Sequence, residues 1–182
     1  FSPNNRHRMG IYTSAQNIDR DSYFGTDKKP DAYGATDDKT FVAGAQYTYS
    51  FHKLLFLPSE LTAGVEYNYN TLHDKYLGFG RDFEQTTHST GFFFQNEWRS
   101  EKLNFLIGVD KHNMMKNVVF SPRVNVRYSP TEKIGLRASY SSGYRAPQAY
   151  NEDLHIDALD NKVAIIRLAP DLKPEYSHSL SA

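Results

Sequence analysis

A chain of 182 residues is long enough for one domain, but 39% apolar residues and a mean hydropathy of −0.64 sit beside 14% aromatics, with 13 Tyr and 12 Phe; such rings suit strands and interfaces better than helix cores. Lys and Arg number 21 against 21 Asp and Glu, which removes the electrostatic argument for nucleic acid, and the lack of Cys excludes disulfide scaffolds, Cys zinc sites and thiol nucleophiles. Apolar runs such as Leu54-Leu55-Phe56-Leu57 fall far short of the roughly 18 residues of a spanning helix, whereas a transmembrane β-barrel hides its apolar residues in alternation and passes that test unseen.

The N-terminus, Phe1-Ser2-Pro3-Asn4-Asn5-Arg6, carries no signal-peptide h-region, so the sequence reads as a mature product or a fragment. Met9 to Asn17 reads as a moderate strand. Thr40 to Phe51 sets Phe41, Ala43, Ala45, Tyr47, Tyr49 and Phe51 against Thr40, Gly44, Gln46, Thr48 and Ser50, with Val42 as the exception. Glu60 to Asn70 alternates without exception: Leu61, Ala63, Val65, Tyr67 and Tyr69 oppose Glu60, Thr62, Gly64, Glu66, Asn68 and Asn70. His88 to Arg99 places Phe92, Phe94 and Trp98 on one parity and Phe93 on the other, which leaves its facing open. Leu103, Phe105, Ile107 and Val109 alternate next. Then come Phe120 to Ser129, with Arg123, Asn125 and Arg127 on its polar parity, and Ile134 to Ser141, with Arg137 and Ser139 on its own. Tyr176 to Ala182 begins a last strand. The expectation is eight strands and no helix.

Between them, residues 52–59, 100–101 and 130–132 form short connections, and residues 20–39, 73–87 and 143–173 form long polar ones. Strands running up and down place every second connection at the same end, so one end of the sheet is expected to have tight turns and the other large loops. Clean runs of about 10 residues match the 9–11 of a tilted transmembrane strand. Rings gather toward the strand ends, as Tyr47, Tyr49, Phe51, Trp98 and Tyr128 near short turns and Tyr67 and Tyr69 near a long loop, as headgroup-level girdles or as ordinary cross-strand pairs. With the apolar parity toward lipid, the interior receives Glu60, Glu66, Asn68, Asn70, Gln46, Gln95, Glu97, Arg123, Arg127 and Arg137, a wet lumen. The fold class expected is therefore all-β: an antiparallel up-and-down transmembrane β-barrel segment of about eight strands.

The run Tyr140-Ser141-Ser142-Gly143-Tyr144-Arg145-Ala146-Pro147-Gln148-Ala149-Tyr150, followed by Asp171-Leu172-Lys173-Pro174-Glu175-Tyr176-Ser177, resembles a pair of motifs in the barrel of TonB-dependent outer-membrane receptors. The stretches Phe120 to Tyr128 and Asn151-Glu152-Asp153-Leu154-His155-Ile156 are similar to the branch found in Bacteroides-like bacteria. Within the motifs, Pro147 ends a ladder at the strand mouth, Pro174 sets φ as the next strand begins and Gly143 permits a bend. Arg145 is expected to pin the long loop through Glu152, Asp153 or Glu175.

That resemblance implies a bacterial outer-membrane location, lipid contact, and active import of a scarce siderophore, corrinoid, haem or glycan with energy from the TonB complex. It also implies a barrel of roughly 22 strands closed by a plug. Residues 1–182 contain neither plug nor TonB box, so the expectation is an internal barrel fragment whose strand edges promote self-association. The alternative is an autonomous eight-stranded outer-membrane barrel, structural or adhesin-like; a soluble hydrophobe-binding barrel is disfavoured by the polar interior. No cofactor and no enzyme activity are expected. His7, His52, His73, His88, His112, His155 and His178 are scattered, without metal-ligand spacing. Asp19-Arg20-Asp21 and Asp37-Asp38 read as solvated acidic loop, with Ca²⁺ as the lesser alternative. Ser141-Ser142 with Asp153 and His155 lacks a nucleophile elbow.

Overall fold

The computed structural model describes residues 6–23, 29, 32–76, 78, 80–114, 117–149, 158–159, 162–163, 169 and 171–182. Its strands are β1 (His7–Tyr23), β2 (Tyr33–Leu54), β3 (Leu57–Tyr76), β4 (Arg81–Arg99), β5 (Leu103–Met114), β6 (Asn117–Thr131), β7 (Ile134–Arg145), β8 (Ala158–Leu159), β9 (Lys162–Val163) and β10 (Glu175–Ser181). Eight of them form one antiparallel meander in the order β1-β2-β3-β4-β5-β6-β7-β10, and β8 and β9 pair separately. No α-helix occurs among the described residues. The eight expected strands are all present. The sheet is open: among the described residues the outer edges of β1 and β10 have no strand partner.

Directly opposed residues in an antiparallel ladder point to the same side, so the register carries parity from strand to strand. One row runs Arg8, Thr48, Thr62, Gln95, Gly108, Arg123, Ser141, Ser179 across all eight strands, polar or glycine throughout. The neighbouring row, one residue along, runs His7, Tyr49, Leu61, Asn96, Ile107, Val124, Tyr140, Leu180 and faces the opposite side. The sheet therefore has one polar face and one apolar face. Met9, Ile11, Phe92, Phe94, Ile107, Phe120, Leu136 and Leu180 on the apolar face are all exposed. The accessible surface is 12691 Å², against roughly 9,000 Å² for a compact soluble monomer of this mass. A face this apolar and this open is built to meet lipid or another apolar surface.

Rings border the apolar face near the short turns. Trp98 stacks between Phe56, at 5.7 Å, and Phe105, at 5.6 Å, and its Nε1 donates to the Leu54 carbonyl at 3.0 Å. Leu55 turns the chain from β2 to β3 with a positive φ of 64°, a region where a Cβ crowds the backbone.

Two expectations about the connections are corrected. Residues 20–39 and 73–87 are largely strand: β1 continues to Tyr23, β2 starts at Tyr33, β3 continues to Tyr76 and β4 starts at Arg81. β2 has 22 residues, while about 10 suffice to cross the hydrocarbon layer. The hairpins β1–β2 and β3–β4 consequently rise roughly 20 Å beyond the apolar band at about 3.3 Å per residue. The long-loop end also contains one tight connection, since only residues 115 and 116 separate β5 from β6. Beyond Ser89, strand β4 has no partner on β5, and β6 pairs with β7 only from Arg123 onward, one residue after Pro122, which has no N–H to give. The rim is high at β1–β4 and low at β5–β6.

Candidate polar wall and its crown

The ten residues expected to line the interior, Glu60, Glu66, Asn68, Asn70, Gln46, Gln95, Glu97, Arg123, Arg127 and Arg137, fall on one face of the sheet. Most are tied to neighbours. Tyr12 Oη donates to Glu66 Oε2 at 2.6 Å and Asn68 Nδ2 to Glu66 Oε1 at 2.9 Å. Asn70 Nδ2 donates to Asp38 Oδ1 at 2.6 Å and Thr40 Oγ1 at 3.0 Å. Arg8 pairs with Glu60, Arg99 with Glu97 at 2.7 Å and Arg123 with Asp110 at 3.1 Å. Such a wall of mutually paired polar groups is rigid and wettable at once.

Glycine makes room on the same face. Gly64 stands opposite Phe93, whose Cζ lies 2.3 Å from where a Cβ would be, and Gly34 stands opposite Tyr76, whose ring comes within 2.0 Å of that position. Each ring lies flat across its glycine and does not project from the wall. This answers the facing of Phe93: Phe92, Phe94 and Trp98 are on the apolar face and Phe93 is on the polar one.

Above the apolar band the polar face closes into a buried network that the sequence reading missed, having assigned residues 73–87 to a loop. Asp74 and Arg81 are 2% and 5% exposed and form an ion pair at 2.5 Å. Thr36 Oγ1 donates to Asp74 Oδ1 at 2.6 Å, and Arg20 Nη2 donates to Thr36 Oγ1 at 3.1 Å. The Arg81 guanidinium lies over the Tyr76 ring at 5.7 Å, and Tyr76 Oη donates to the Ala32 carbonyl at 2.7 Å. Four strands are thereby tied side chain to side chain, with Leu72 and Val119 buried on the same face. The signal that would have found them is parity: Leu72, Asp74 and Tyr76 continue the even series from Glu60. On the outward side of the same hairpins, a hydrogen bond from Lys39 holds the Asp37 carboxyl below its ordinary pKa and raises that of Lys39. The hydrogen bond with His73, aided by Lys75, likewise lowers Asp82.

The two motif segments meet. Gly143 is on the polar face, Tyr144 stands opposite Tyr176, and Arg145 stands directly opposite Glu175. Arg145, Ala146, Pro147 and Gln148 line, with Leu172, Lys173 and Glu175, a cavity of about 150 Å³; Pro174 sits at the base of β10. Two residues past Pro147, Ala149 is buried against β4, where Gln85 holds its backbone by two hydrogen bonds of 2.9 and 3.0 Å. Tyr150, Glu152, Asp153 and His155 lie outside the described residues.

No group of three or more metal-ligating side chains occurs among the described residues, and no helix is long and apolar enough to cross a membrane. A family model described as "TonB dependent receptor-like, beta-barrel" matches residues 2–182. A chain in the solved structure titled "Structure of the FpvAI-pyocin S2 complex" is similar in fold, with a TM-score of 0.55 and 13% identity over 79% of this chain. This chain spans 24% of that one. No curated protein matches the sequence.

Proposed function

Since the chain belongs to the TonB-dependent receptor β-barrel family, whose members sit in the bacterial outer membrane and import ligands, we propose that it forms a sector of such a receptor's wall. In this reading the apolar face meets lipid and the polar face lines the lumen. The high hairpins β1–β2 and β3–β4 and the long β7–β10 connection face outward, where they take part in capturing a scarce siderophore, corrinoid, haem or glycan. Energy for import comes from the TonB complex. The edges of β1 and β10 pair with further strands of the same barrel, and an isolated segment self-associates through them. The motif residues Gly143 to Pro147 and Leu172 to Glu175 are architectural, bringing the ends of β7 and β10 together.

The observation that carries this reading is the register that keeps a polar row on one side and a largely apolar row on the other across all eight strands. It is supported by strand length and by the ring stack at Trp98. Residues 1–182 contain no Cys, so a single cysteine placed in them has no competitor within this segment. In the receptor carrying this chain, Gln95→Cys is expected to react with a membrane-impermeant maleimide in outer-membrane vesicles, while its neighbour Phe94→Cys reacts only with a lipid-soluble reagent. Uptake of labelled ligand candidates by cells is expected to stop when the inner-membrane proton gradient is collapsed. Equal labelling of both positions would sink the wall assignment, and uptake that persists without the gradient would sink the energised-import reading.

A further inference from the structure

The three short turns at one end of the sheet differ in chemistry. Ser100-Glu101-Lys102 joins β4 to β5 and Glu132-Lys133 joins β6 to β7, both charged and exposed, as turns in water are. The β2–β3 turn lies instead within Leu54-Leu55-Phe56-Leu57, four apolar residues in a row, and Leu55 is 77% and Phe56 53% exposed.

Nothing in the turn itself calls for these side chains. The Phe56 N–H donates to the Leu54 carbonyl at 2.9 Å across Leu55 at a φ of 64°, the closure of a strained γ-turn. Glycine enters that region at lower cost, so what leucine adds is an apolar side chain that the fold leaves outside its own packing.

Phe56 shows to which side of the sheet the turn leans. Its ring stacks at 5.7 Å on Trp98, which the register places on the apolar face, and Phe105 backs the stack at 5.6 Å. Trp98 Nε1 donates at 3.0 Å to the same Leu54 carbonyl that closes the turn. The turn is thus tied across β3 toward the apolar side and away from the polar face, and its exposed carbons continue the apolar face past the strand ends. Strands added beyond β1 or β10 are separated from it by at least β1, so a completed barrel leaves it uncovered.

We propose that the β2–β3 turn is a membrane anchor: Leu55 and Phe56 insert among the phospholipid headgroups and upper acyl carbons of the leaflet at the short-turn end, and Trp98 holds the turn there. Apolar side chains gain by leaving water at this depth, and the indole keeps its hydrogen bond. The charged turns after β4 and β6 stay in water, so this one fixes how deep the sector sits. The anchor rests on the proposed contact of the apolar face with lipid.

The test uses the whole receptor carrying this chain, on a background without other reactive cysteines, folded into vesicles of phosphatidylethanolamine and phosphatidylglycerol. An environment-sensitive NBD fluorophore is attached to Leu55→Cys, to Lys133→Cys in a charged turn and to Phe94→Cys within the apolar band. Lipids spin-labelled close to the headgroup or near the chain end are the quenchers. At position 55 the emission is expected to be blue-shifted and quenched roughly twofold or more by the shallow label and less by the deep one, while position 133 reports water and no quenching. Emission and quenching at 55 equal to those at 133 would overturn the anchor. A blue shift at 55 without quenching by either lipid would overturn it too, since protein would then cover the turn. Quenching at position 94 separates the two readings: with 94 quenched and 55 not, the anchor alone fails, and with neither quenched the lipid-facing wall fails as well. Should Leu55→Cys not show the heat-dependent gel shift of a folded barrel, Phe56→Cys carries the fluorophore under the same criteria.

Discussion

Gln85 on β4 holds Ala149, beyond the end of β7, as a strand neighbour would: its Nε2 donates to the Ala149 carbonyl at 2.9 Å and its Oε1 accepts from the Ala149 N–H at 3.0 Å. β5 and β6 lie between these two in the sheet, but their tight connection leaves the rim low there, so the chain after Pro147 crosses to the unpaired upper part of β4. A single buried amide thus fixes the path by which the long connection leaves its strand.

Removing that amide should release the connection. Gln85→Ala leaves both backbone groups of Ala149 unpaired in a buried site, at a cost of about 2–3 kcal/mol. Limited trypsin digestion of the folded receptor should then cut faster between Ala146 and Lys173, with the strands intact. Unchanged cleavage would show that the clamp does not govern the connection.

The Asp74–Arg81 pair is the most deeply buried charge in the sheet. Truncating one partner strands the other, so Asp74→Ala or Arg81→Ala should each destabilise by about 3–5 kcal/mol. The paired replacement Asp74→Leu with Arg81→Met should cost much less than either alone. Urea unfolding midpoints of the four proteins form the cycle, and additive effects would refute the coupling.

Gly64 is required by Phe93 and by the Ala45 carbonyl, whose oxygen lies 2.8 Å from where a Cβ would be, and not by any turn. Gly64→Ala should cost about 1–3 kcal/mol by displacing the ring and crowding that carbonyl, and Phe93→Ala in the same protein should recover only the part of that loss due to the ring. A Gly64→Ala variant with parent stability would mean that the ring is free to move.

Phe94 and Gln95 are adjacent in sequence and on opposite faces. Phe94→Arg should destabilise by about 2–4 kcal/mol in a bilayer, whereas Gln95→Arg should fold with nearly parent yield. Folding into lipid vesicles of fixed composition distinguishes them, and similar yields would argue against lipid on the Phe94 side.

Leu55 occupies a backbone region that glycine enters freely. Leu55→Gly should stabilise the β2–β3 hairpin by about 1 kcal/mol, raising the unfolding temperature. A fall in that temperature would mean that the exposed Leu55 side chain contributes packing outweighing its strain.

The sequence by itself determined the strands within the apolar band, which the proposed wall places against lipid. Between Thr40 and Asn70 an apolar surrounding on one side and water on the other, as that wall has them, demand period two, so Phe41 to Phe51 and Leu61 to Tyr69 announce both strand and face. Above that band water lies on both sides. The outward positions His73, Lys75, Asp82 and Glu84 need no apolar character, so the alternation fades while the strand continues, and polar strand reads as polar loop. Only the tertiary structure decided what happens there: that Asp74 meets Arg81 across a hairpin, and that Gln85 meets Ala149 across two shorter strands. It also set Arg127 opposite Arg137. Each of these depends on register between residues distant in sequence, which no local pattern records, because register is fixed by the sum of ladder and side-chain pairings along the whole sheet.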